Sequence, residues 1–182
     1  MMAVQPHRYV LLLRGINVGG RSKLSMAELR RLCESIGCTD VATYIQSGNV
    51  VLDSALTADD LCHQVQAAIT AAVGFTPTAV LRRPVDLDRV VQTHPFPDAD
   101  GDKIHVGFMS SPPSKKAVAD LADVDHPPEE FAVRGAEIYL HLPNGMGRSK
   151  LATVPFEKRL GVAITMRNWR TVNKLHDMAT TR

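Results

Sequence analysis

The residues able to do directed chemistry fall into three short polar clusters. In Arg14-Gly-Ile-Asn17-Val-Gly-Gly20-Arg21-Ser-Lys23, glycines alternate with three cations and an amide. A segment of this kind, placed after a strand and before a helix, presents backbone N–H groups to an anion. Its spacing matches neither the dinucleotide fingerprint nor the Walker pattern with its terminal Lys-Ser/Thr pair, so a tight glycine loop displaying solvated charges is the competing reading. The second cluster is Gln46-Ser47-Gly48-Asn49, whose three polar side chains suit directed hydrogen bonding and equally suit a turn. The third combines Asn144-Gly-Met-Gly-Arg148-Ser149-Lys150 with Arg167-Asn168-Trp169-Arg170 and Lys174. Here Ser149 would cap a short helix whose amino end, beside Arg148 and Lys150, receives an anion. Arg167 and Arg170 would hold a phosphate while Trp169 stacks a ring. Against that, Trp169 at helical spacing with Val172 also reads as an inward anchor with the arginines as its solvated flank.

Other chemistries are poorly represented. The seven histidines, His7, His63, His94, His105, His126, His141 and His176, are scattered without a ligand motif, and neither a metal nor a cofactor is expected. No G-x-S-x-G elbow is present, and Ser47 would need a histidine and an acid from elsewhere. Cys33 and Cys62 belong to inward helix faces, which leaves Cys38 as the accessible thiol. An odd count of three cysteines argues against a secreted disulfide scaffold and for a cytosolic home. The unbroken apolar run Val10–Leu13 is too short for a signal peptide, and nothing approaches the roughly 20 apolar residues of a membrane span.

The whole chain has 182 residues, 45% of them hydrophobic and 22% charged, an ordinary globular composition. A net charge of +2 implies neither nucleic acid nor an anionic membrane by itself. Its distribution is uneven: Arg148–Lys174 carries seven basic residues against Glu157 alone, Arg14–Arg31 carries five against Glu28, and Asp98–Glu130 carries eight acids against three lysines.

The elements that must position these clusters are legible in pattern. Tyr9–Leu13 reads as a central strand. Ser25, Glu28 and the Leu24/Leu29 pair then announce a helix ended by Gly37. Val41–Ile45 and Asn49–Leu52 read as a hairpin turning at Gln46-Ser-Gly48. Thr57, Asp60 and the Leu56/Leu61 pair announce a second helix with Val65, Ala68, Ile69 and Ala72 inward and Gly74 closing it. Thr78–Leu81 is a fourth strand, followed by a weakly helical connector over 85–91. The order then restarts: strand Ile104–Met109, helix from Ser114 to Leu121, hairpin Glu130–Arg134 and Glu137–Leu142 turning at Gly135, a short helix from Pro155 to Gly161, strand Val162–Met166, and a terminal helix capped by Asn168 with Trp169, Val172, Leu175 and Ala179 on one face. Strand, helix, hairpin, helix, strand is the ferredoxin-like arrangement. The expectation is an α+β protein of two ferredoxin-like (βαββαβ) subdomains, 1–83 and 103–182, joined by a connector over 84–102, the second ending in the terminal helix. A single mixed sheet using strands of both halves is the alternative. In the two-subdomain reading each half covers one sheet face with helices and leaves the other as an open platform.

The segments Leu12-Leu-Arg-Gly-Ile-Asn-Val-Gly-Gly20, Thr43-Tyr-Ile-Gln-Ser-Gly-Asn49, Pro143-Asn-Gly-Met-Gly-Arg-Ser-Lys150 and Thr165-Met-Arg-Asn-Trp-Arg-Thr-Val-Asn-Lys-Leu175 resemble the bacterial family catalogued as domain of unknown function 1697. The resemblance runs over essentially the whole chain. It implies two ferredoxin-like subdomains and no established activity. Its motifs coincide with the polar clusters, so the candidate ligand-binding residues are Arg14, Asn17, Gln46, Ser47, Asn49, Arg148, Ser149, Lys150, Arg167, Asn168 and Trp169. The leading expectation is a cytosolic binding protein for a phosphate-bearing small molecule or a nucleic acid segment. The strands lack interleaved aromatics, which weighs against nucleic acid. An enzyme acting on a small anionic substrate and a structural or protein-interaction module are the alternatives; the oligomeric state is left open.

Overall fold

In the computed structural model, which describes residues 5–19 and 22–181, the first antiparallel sheet is built from β1 (His7–Arg14), β2 (Thr39–Tyr44), β3 (Asn49–Ser54) and β4 (Thr78–Arg82) in the order β2-β3-β1-β4. Two helices connect these strands, α1 (Met26–Ser35) and α2 (Ala58–Val73). Both start where the sequence says: the Oγ of Ser25 accepts from the Glu28 N–H at 3.1 Å and the Oγ1 of Thr57 from the Asp60 N–H at 3.2 Å. The reciprocal half of the first capping box is missing, because the Glu28 carboxylate turns to Arg31 instead. Tyr9, Leu11, Leu13, Val50 and Leu52 face Leu29, Cys33, Leu61, Val65 and Ile69 in one core. Ala72 is exposed, contrary to expectation, and its neighbour Val73 packs against the core in its place.

A second four-stranded sheet follows α3 (Pro84–Gln92). Its strands are β5 (Ile104–Met109), β6 (Glu130–Arg134), β7 (Glu137–His141) and β8 (Ile164–Asn168), in the order β6-β7-β5-β8. The short helices α4 (Lys115–Ala119) and α5 (Phe156–Leu160) lie between them in sequence, and α6 (Trp169–Thr180) ends the chain. Met109, Leu121, Ile138, Leu140, Phe156, Leu160 and Ile164 form its core. Gly107 has no room for a side chain: a Cβ there would lie 2.6 Å from Ile138 and 2.7 Å from Ile164.

The chain divides into two compact units, one running to Leu87 and resuming at Leu175, the other Asp88–Lys174, so the divisions fall inside α3 and α6. Within the first unit, Arg8 of β1 pairs with Asp40 and Asp53 and donates to the Met178 carbonyl in α6 at 3.2 Å. The expected open platform is absent. Val10, Leu12, Val51 and Val80, which alternate away from the first core, are buried, as are Val106, Phe108, Glu137, Tyr139, Thr165 and Arg167 of the second sheet. Strands buried on both faces explain why β1 reads as an unbroken apolar run. Among the described residues, no helix is long and apolar enough to cross a membrane.

Candidate functional site

The glycine loop and the β2–β3 turn are built as one piece. After β1 the backbone enters the left-handed region at Gly15 and again at Asn17, with φ of +84° and +54°. Asn tolerates that region because its short amide bonds locally. The Asn17 amide donates to the carbonyls of Leu24 (2.8 Å) and Gln46 (2.9 Å), and its oxygen accepts from the Leu24 N–H (2.9 Å). Gly48 sits so close that a Cβ would lie 2.7 Å from both Ile16 and Leu13. Asn49, fully buried, donates to the Ser47 Oγ (2.9 Å) and the Tyr44 carbonyl (3.1 Å). The structure thus brings Asn17, Gln46, Ser47 and Asn49 together, with Asn17 and Asn49 as internal braces and the side chains of Arg14 and Gln46 exposed. Beside them stand the exposed apolar residues Val18 and Ile45, 67% and 50% accessible. Gly20 and Arg21 lie outside the described residues.

In the second unit, β5 begins and β7 and β8 end on the same edge, since Ile104 pairs with His141 and His105 with Asn168. The 143–150 and 168–170 segments therefore leave the sheet at one end. Ser149 does cap a turn, accepting from the Ala152 N–H at 2.8 Å, but the anion held there is the chain's own. The Glu129 carboxylate accepts from both the Ser149 hydroxyl (3.1 Å) and the Leu151 N–H (2.8 Å) through Oε2. Ser149 is buried and closed to a ligand, and Glu129 is only 9% exposed. Around it lies a cavity of about 110 Å³ lined by His126, Pro127, Pro128, Glu129, Asn144, Arg148 and Lys150. Arg148 and Lys150 stand exposed at its rim. Sequence reasoning missed Glu129, because nothing local distinguishes it from the other acids of the 98–130 segment.

Arg167 is not a solvated flank. It is 8% exposed and donates to the Thr165 hydroxyl (2.9 Å) and the Met166 carbonyl (2.8 Å). Burial pulls its pKa down to about 10, which leaves it charged at neutral pH. Asn168 caps α6, its Oδ1 accepting from the Thr171 N–H at 2.8 Å. Trp169 is half-buried, its ring centroid 4.6 Å from that of His94, and a Cβ at Gly101 would lie 3.0 Å from its indole. The indole is thus packed internally on at least one side, a poor stacking platform. Cys38 is buried rather than accessible, and Cys62 is the half-buried cysteine. Desolvation raises all three thiols, Cys33 to about 12 and Cys62 to about 11, so none is a ready thiolate. Among the described residues, no group of three or more His, Cys, Asp or Glu side chains is arranged to hold a metal ion.

Residues 7–139 match the family described as "Protein of unknown function (DUF1697)". The chain belongs to that family. The matched segment contains the loop pair of the first unit and Glu129, and it stops short of Arg148, Lys150 and the 165–175 segment, a narrower span than the motifs suggest. Among solved structures, a conserved bacterial protein, SP0830 from Streptococcus pneumoniae, is 24% identical, with a TM-score of 0.78 over 96% of this chain and 99% of that one. At that identity the likeness shows a shared fold. No curated protein matches the chain. DUF1697 membership therefore carries architecture to this protein and no activity.

Proposed function

We propose that this DUF1697 protein is a cytosolic binding protein for a small phosphate-bearing molecule, held in the second unit's cavity by Arg148 and Lys150. The observation that carries the reading is that both cations line that cavity, while neither forms an ion pair with any carboxylate among the described residues. Two cations that no ion pair engages, lining one concave site, favour a doubly charged oxyanion. The burial of both faces of the central strands β1, β3, β5 and β7 removes the platform that unstacked bases would need, which favours a small molecule over a nucleic acid segment. Strand orders β2-β3-β1-β4 and β6-β7-β5-β8, each with βαββαβ connectivity, support reading the scaffold as two ferredoxin-like units.

Thermal-shift measurements with inorganic phosphate, sugar phosphates, nucleotides and short RNA test this. A rise in midpoint with the small phosphates, lost in the Arg148→Ala/Lys150→Ala double variant, is the expected result. A rise unaffected by the double variant, or none with any phosphate, overturns the assignment. A shift confined to RNA and steeply dependent on salt transfers it to nucleic acid.

A further inference from the structure

We infer that the ligand of this cavity is zwitterionic, carrying a primary ammonium a few bonds from its phosphate. The inference rests on the phosphate-binding reading above and is drawn from Glu129. That side chain lines the cavity and is 9% exposed, and its two oxygens are not equivalent. Oε2 takes the Ser149 hydroxyl and the Leu151 N–H. Oε1 accepts no hydrogen bond from any described residue. That oxygen opens onto the cavity, and its charge repels a purely anionic ligand at the same rim where Arg148 and Lys150 attract one. A ligand ammonium removes that repulsion, donating to Oε1 while its phosphate meets the two cations. The cavity of about 110 Å³ is well below the size that encloses a drug-like ligand, so it seats a small aminophosphate or the polar end of a larger one.

The test compares O-phosphoethanolamine with 2-hydroxyethyl phosphate, which exchanges the ammonium for a hydroxyl, and with inorganic phosphate, by calorimetric titration. The aminophosphate is expected to bind roughly tenfold tighter than its hydroxyl counterpart, the scale of one charge-assisted hydrogen bond. Glu129→Gln then reverses the sign. The Leu151 N–H requires an acceptor, so the Gln carbonyl takes that position and its NH₂ replaces the free oxygen, turning an acceptor into a donor. In that variant the aminophosphate weakens and inorganic phosphate binds as well or better. Equal affinities for the two organic phosphates in the wild-type protein overturn the inference and leave the phosphate site standing. So does an ammonium preference that survives in a folded Glu129→Gln. Absence of binding by all three probes removes the phosphate site itself. Should Glu129→Gln fail to fold, the wild-type comparison decides alone.

Discussion

The side-chain amide of Asn17 donates to the main-chain carbonyl of Gln46 at 2.9 Å, joining two loops 29 residues apart in the sequence. With its two further bonds to Leu24, it ties the start of the glycine loop to the hairpin turn and to the entry of α1. Asn17→Gly keeps the left-handed backbone available and removes all three bonds, so the expected loss is about 2–3 kcal/mol at ~1 kcal/mol each. Urea denaturation measures it. A loss under about 0.5 kcal/mol would mean that the loops are held by Ile16 and Gly48 alone.

Ile45 carries the backbone oddity of the same surface, a β-branched residue at φ +48° with half of its area in water. A β-branched side chain in that region is a genuine outlier, and such strain gathers where a side chain is needed for something other than folding. Ile45→Asn is expected to leave the thermal midpoint unchanged or higher, because relief of a left-handed penalty of about 1 kcal/mol offsets the apolar contact made by the half of Ile45 that is out of water. A lower thermal midpoint in the variant would show that Ile45 contributes packing worth more than its strain.

For Ser149, truncation to Ala withdraws a donor from a buried carboxylate and the cap of the turn at Leu151–Thr153. The combined cost is about 2–3 kcal/mol. Ser149→Thr retains the hydroxyl and should recover most of it. If Ala and Thr behave alike in chemical denaturation, the hydroxyl bonds are incidental to stability.

His94 and Trp169 offer a pH readout. Burial and, secondarily, the charge of Arg134 hold the His94 pKa below its usual 6.5. A lowered histidine pKa means that the unfolded chain binds the proton more readily, so stability is full above about pH 6.5 and falls as pH drops toward the folded-state value. His105, lowered by burial alone, adds to the same trend. Trp169 is the only tryptophan, and an imidazolium 4.6 Å away quenches it more than a neutral ring does. Its emission is expected to drop with a midpoint below pH 6.5, and His94→Gln should abolish the step. A midpoint at or above 6.5 contradicts the burial of His94.

What the sequence determined by itself was local. Ser25, Thr57, Ser114 and Asn168 cap the helices they announce, Gly74 and Gly161 stop theirs in left-handed turns, and each hairpin turns where its glycine stands. These signals act between residues within a turn or two of one another, which is why composition and spacing suffice to read them. Only the tertiary structure decided what lies across the chain. Glu129, 20 residues before Ser149, fills the anion position that the local pattern left for a ligand. Ala72 faces water because the rotation of α2 is set by its packing partners, and the last turns of α6 join the unit that begins the chain. Burial turned Arg167 and Cys38 from surface groups into interior ones. Hydrogen bonding and desolvation depend on which groups meet in space, and no periodicity along the chain encodes that meeting.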